Sequence, residues 1–149
     1  MKKIFLLLVL FNSLIFSSAN GFLDLKWGAS KDETLKYMEK TFGVTTNVVE
    51  DDVILYSMKN IKFEGLDLKD LYFSYLPNGK FNMWIGKTYN AKGDRTKIKK
   101  ALKEKYGLKE EKKEKYDRLF SYINGEAIEI KFYNDRIEFY LENYDLTLE

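Results

Sequence analysis

Apolar and polar positions along this chain alternate with two different periods. In residues 30–43, "SKDETLKYMEKTFG", Leu35, Met38 and Phe42 recur at i, i+3 and i+7, which makes one buried stripe of a helix. Ser30 and Glu33 have the spacing of a capping box, in which each side chain meets the other residue's backbone N–H. Asp32 and Glu33 suit the positive end of the helix dipole, and Gly43 suits a left-handed stop. Residues 94–107, "DRTKIKKALKEKYG", repeat the device: Asp94 as N-cap, a stripe of Ile98, Ala101, Leu102 and Tyr106, and Gly107 as the stop.

Elsewhere the period is two. "LYFSYLPNGKFNMWIG" reads as a hairpin, with Pro77-Asn78 in the turn and Gly79 in the left-handed position after it. Pairing Leu76 with Lys80 places Leu71, Phe73 and Tyr75 against Ile85, Met83 and Phe81 on one face. Tyr72 then lies opposite Trp84 on the other face, and Ser74 opposite Asn82. "IEIKFYNDRIEFYLE" reads the same way around Asn134-Asp135, with Ile130 opposite Phe139, Phe132 opposite Ile137 and Lys131 opposite Glu138. Asn124-Gly125 marks a further hairpin turn, and Phe120 and Tyr122 fit either face. "DDVILYSM" and "NIKFEGLDL" read as strands. Trp27-Gly28 reads as a tight strand-to-helix turn with Trp27 packed on the helix end.

The predicted order is a short strand, a helix, three strands, a helix and three strands. This predicts an α+β fold: a two-layer sandwich, with both helices on one face of an antiparallel sheet of about 6–7 strands. The two helical segments align at an offset of 64 residues, Ser30 with Asp94 and Gly43 with Gly107. The chain therefore reads as a single domain, 20–149, with internal repeats at 20–88 and 89–149.

The first residues change the charge picture. Lys2 and Lys3 precede an apolar stretch, Ile4 to Phe16, with small residues Ser17 and Ala19 placed for cleavage after Ala19. Residues 1–19 read as a signal peptide, since the apolar run is short of the ~20 residues that span a bilayer. No Cys follows for lipid attachment. The net charge of +2 equals those two lysines, so the remainder is formally neutral. It is uneven: residues 94–118 hold eleven basic and six acidic side chains, and residues 119–149 hold two and seven. The chain has no His and no Cys, which excludes Ser-His-Asp and Cys-His catalysis and zinc held by His or Cys.

The Trp-Gly-x-Ser-x-x-Glu start at residues 27–33 opens a capped helix that ends at Gly43. In this it resembles many exported bacterial proteins. It is also similar to the BamE-like and β-lactamase-inhibitor-protein-like repeat, in which helices cover an antiparallel sheet. The resemblance covers residues 27–43 and, more faintly, 91–107. It implies envelope assembly or protein inhibition through protein contacts. Those families place two helices before the sheet, where each half here has one.

The open sheet face is the candidate site. Helices covering Phe73, Met83, Ile130 and Phe139 leave Tyr72, Trp84, Tyr133 and Tyr140 on the other side. Exposed Tyr and Trp anchor protein partners or stack on sugar rings, or they stabilise neighbouring strands. Glu50 to Asp52 lacks the spacing of a calcium loop. Glu126, Glu129, Glu138 and Glu142 sit on or near one face of the last hairpin. They carry the carboxylates a glycosidase needs, without a sign of burial or of a cleft. Lys97, Lys99, Lys100 and Lys103 are interleaved with Glu104, Glu110, Glu111 and Glu114, the pattern of a solvated, ion-paired helix. The expectation is an exported, non-catalytic binding module. Its partner would be another envelope or exported protein, with no nucleic acid, metal or cofactor and no stable membrane insertion after signal cleavage. The competing expectation is a small enzyme or binder acting on cell-wall glycan or another anionic polymer. A ligand-free structural part of a larger complex is a third.

Overall fold

The structure, a computed structural model, describes residues 21–45, 47–89, 95–123 and 125–148. The expected signal peptide, the cap Asp94 and the turn residue Asn124 lie outside the described residues. Strands β1 (Gly21–Phe22) and β2 (Leu25–Lys26) form a small ribbon. Then come α1 (Lys31–Phe42), β3 (Val48–Glu50), β4 (Val53–Phe63), β5 (Leu66–Tyr75) and β6 (Phe81–Thr88). The second half holds α2 (Arg95–Tyr106), β7 (Lys109–Lys112), β8 (Asp117–Ile123), β9 (Glu126–Phe132) and β10 (Ile137–Asn143), and ends in a 3-10 turn, Asp145–Leu148.

The main sheet has the order β3-β4-β5-β6-β10-β9-β8-β7, antiparallel throughout. Each half is a helix followed by a four-stranded meander, and β6 and β10 meet at the centre. The α+β two-layer sandwich expected from the pattern is the observed fold, with eight strands in the main sheet instead of six or seven. The additional strands are the edges β3 and β7. They are too short for a period-two pattern to register. "NIKFEGLDL" is not one strand: Glu64-Gly65 is the turn at which β4 hands over to β5, with Phe63 paired to Leu66.

The ends of α1 follow their residues. Ser30 Oγ accepts from Glu33 N at 3.2 Å, and Glu33 Oε2 accepts from Ser30 N at 2.7 Å. Gly43 takes φ 66° and donates to Glu39 O. On the buried side of α1, Thr34 Oγ1 accepts from the Tyr75 hydroxyl at 2.5 Å, which ties the helix to β5. Met38 from α1 and Leu102 from α2 are buried in one core with Ile54, Leu71, Phe73, Ile130 and Phe139.

One strand departs from the expected register. Tyr75 pairs with Phe81 as anticipated, but Asn82 is then bulged. Beyond it Ser74 pairs with Met83, Phe73 with Trp84 and Tyr72 with Ile85. A bulge adds one residue to one strand, and one residue exchanges the two faces. Trp84 therefore lies in the core and not on the open face, while Met83 and Ile85 move outward. The core has a place for the indole: it packs edge-on against Phe22 and Phe63, each at 4.9 Å, and its Nε1 donates to Gly21 O at 3.0 Å.

A stability comparison separates the two registers. Trp84→Ala removes a fully buried indole and should cost about 3–5 kcal/mol. Tyr72→Ala, on the uncovered face, should cost less than half of that. Equal costs in denaturant unfolding would contradict the bulged register.

Candidate functional site: the open sheet face

Both helices and the β1–β2 ribbon pack on the Trp84 side. Among the described residues no element covers the opposite face. Register places its side chains in three rows that cross the strands. The middle row runs Val48, Leu55, Tyr72, Ile85, Tyr140, Glu129, Phe120, Lys109. Its first five members, from edge strand β3 to central strand β10, are apolar or aromatic. On one side lies a charged row: Asp70, Lys87, Glu138, Lys131, Arg118, Glu111. On the other lie Val53, Ser74, Met83, Glu142, Ala127 and Tyr122.

The charged row is closed on itself. Lys131 and Arg118 stand directly opposite each other, a repulsive arrangement. Glu129 relieves it, 3.0 Å from Arg118 Nε and 3.4 Å from Lys131 Nζ. Arg118 also reaches Glu111 at 3.2 Å, and these carboxylates hold its guanidinium firmly protonated. Glu138 takes Arg136 at 2.7 Å and Lys87 at 3.9 Å. Lys131 does stand opposite Glu138, as expected, but its ammonium turns to Glu129.

Of the four aromatic side chains singled out from the sequence, Tyr72, Tyr133 and Tyr140 are on this face and Trp84 is not. Tyr72 and Tyr140 flank Ile85 in the middle row. Tyr133 stands apart at the β9–β10 turn, between the Tyr116 ring at 4.9 Å and the Arg136 guanidinium at 3.9 Å. Phe120 and Tyr122, ambiguous in sequence, join the open face. So does Tyr144, next to the end of β10. The signal for that last group was present in the chain as Tyr140, Glu142 and Tyr144, three residues at the period of a single strand face.

The four glutamates do not share a face. Glu126 points to the core side and accepts from Trp27 Nε1 at 3.0 Å. Trp27 itself packs on Phe81 of β6 at 4.9 Å. Burial raises the Glu126 carboxyl above its usual range; the Trp27 hydrogen bond opposes this and the nearby Asp145 adds to it. Most lysines of α2 are ion-paired, but chiefly to carboxylates outside the helix; Lys100–Glu104, at 4.0 Å, is the i,i+4 pair among the described residues. Lys99 pairs with Asp117 and Glu110, Lys103 with Glu110, and Lys105 with Glu64. At residues 50–52, Lys31 donates to Asp51 O and pairs with Asp52. Among the described residues no group of three or more metal-ligating side chains occurs, and no helix is long and apolar enough to cross a membrane.

Fold and site together define a two-layer α+β sandwich with one sheet face uncovered and a band of apolar side chains across it. No protein-family model matches the chain, and comparisons with curated proteins and solved structures give no match.

Glu126 makes stability depend on pH with a definite sign. Its folded-state value lies above the unfolded one, so the folded state binds the proton more tightly. Stability then falls as pH rises through that window, and the penalty persists at neutral pH. Glu126→Gln keeps an acceptor for Trp27 and removes the buried charge. It should be the more stable form at pH 7, and the gain should vanish on acidification to about pH 4, near the ordinary glutamate value. Wild type exceeding the variant at pH 7 would contradict this environment.

Proposed function

We propose that this chain is an exported, non-catalytic binding module of the bacterial envelope, acting through protein contacts on its open sheet face. The observation that carries the reading is the middle row. Val48, Leu55, Tyr72, Ile85 and Tyr140 form a continuous apolar band beside charges that already neutralise one another. A protein partner buries such a band with little desolvation cost, because the fixed charges beside it keep their own partners. Aromatic side chains at its centre have the large area and limited rotamer freedom of interface anchors.

The same observations weigh against an anionic polymer as the ligand. Three of the α2 lysines that a polyanion would use, Lys99, Lys103 and Lys105, are already held by Asp117, Glu110 and Glu64. The likeness of residues 27–43 to helix-on-sheet repeats that work through protein contacts points the same way.

Photo-crosslinking tests the proposal. A photoreactive residue at Ile85, with native cells as the source of partner, should give a discrete protein adduct; the same residue at Lys36 on α1 should not. Tyr72→Ala combined with Ser74→Asp should abolish the adduct while leaving the fold intact by circular dichroism. Equal adducts from both positions, or none from Ile85, would overturn the sheet-face reading.

A further inference from the structure

The open face has one carboxylate that its own charges leave unmatched. Of the four that β7 to β10 present there, Glu111, Glu129 and Glu138 each lie against two cations. Glu142 meets no cation among the described residues. It accepts instead from neutral hydroxyls: Tyr140 at 2.8 Å, and Tyr144, whose hydroxyl is raised by burial and by its bond to Glu142. Arg118, the cation of this corner, is committed to Glu129 and Glu111 and donates to Tyr122 Oη at 2.7 Å.

The surroundings are aromatic and accessible. Ala127 is the neighbour of Glu142 in the row, small and buried, and Tyr122 follows it. Tyr122 is 56% exposed and Tyr144 42%. With strands about 4.8 Å apart, Tyr122 and Glu142 are separated by the width of one missing side chain. Ring faces beside a carboxylate attract a cation twice, through the ring quadrupole and through the charge. A planar guanidinium stacks on a tyrosine and offers paired donors to a carboxylate, which an ammonium cannot do.

We propose that Glu142, with Tyr122, Tyr140 and Tyr144, receives an arginine side chain projecting from the partner protein. The proposal rests on the sheet-face reading and adds the chemistry of the partner: an exposed arginine beside an apolar patch that meets Tyr72 and Ile85. The three tyrosines supply the walls and Glu142 the counter-charge.

The test uses N-acetyl-arginine methylamide as the probe and the aromatic NMR resonances of the full folded chain as the readout. Saturable shifts at Tyr122, Tyr140 and Tyr144 are expected, with no comparable shifts from the uncharged isostere N-acetyl-citrulline methylamide. Glu142→Gln should weaken the arginine response at least fivefold with the remaining spectrum unchanged. Absence of saturable shifts, equal shifts with citrulline, or an unaltered response in Glu142→Gln would overturn the proposal. The two readings fail separately. An adduct at Ile85 that survives Glu142→Gln undiminished removes the arginine site and leaves the binding face. Arginine shifts without any adduct at Ile85 do the reverse.

Discussion

The bulge at Asn82 is the constraint from which the composition of the open face follows. It adds one residue to β6, so every side chain after it changes face. Trp84 turns inward, where Phe22, Phe63 and the Gly21 carbonyl receive it. Met83 and Ile85 turn outward and complete the apolar band. Gly86 is part of the same arrangement, because a Cβ there would sit 3.0 Å from the Trp84 ring and 3.1 Å from Leu68. A regular hairpin would have buried Ile85 and left an indole in solvent. The core and the candidate interface are thus set by one irregularity in one strand.

That strand also joins the two halves. β6 and β10 are the last strands of their meanders, and their antiparallel pairing places Trp84 opposite Leu141 and Ile85 opposite Tyr140. The layout gives one continuous sheet from two similar units, with both helices on the same side. The two units expose different chemistry on the free side. The first contributes Val48, Leu55, Tyr72 and Ile85. The second contributes the interlocked charges and the tyrosines around Glu142. A partner lying across the seam would meet an apolar half and a polar half, which is the division of labour between the centre and the rim of an interface.

Local chemistry made much of the fold readable. The Ser30–Glu33 capping box, the Gly43 stop and the register of the β9–β10 hairpin all follow from residues within a few positions of each other. Each is set by a hydrogen bond or turn with its own residue preference. The two-layer arrangement followed from the order of these elements. The bulge was not readable, because Asn82 is an ordinary polar residue in an alternating strand, and its burial depends on the rest of the core. For the same reason strict alternation along β6 puts Trp84 on the wrong face, whereas Tyr72, Tyr133 and Tyr140, which the bulge does not displace, fall on the expected one. The edges β3 and β7 were missed as short segments. The tyrosines around Glu142 come together only once the β8–β9 register is known, since Tyr122 reaches that corner across two strands.

Hydroxyl-radical footprinting of the purified chain tests the assignment of faces most directly. Met38 and Met83 are chemically alike and lie on opposite sides of the sheet, one fully buried on the inner side of α1 and one on the uncovered face. The account predicts that Met83, Tyr72 and Tyr122 oxidise readily while Met38 and Trp84 are protected until the chain unfolds. Rapid oxidation of Trp84 in the folded chain, with Met83 protected, would mean that the other face is the open one.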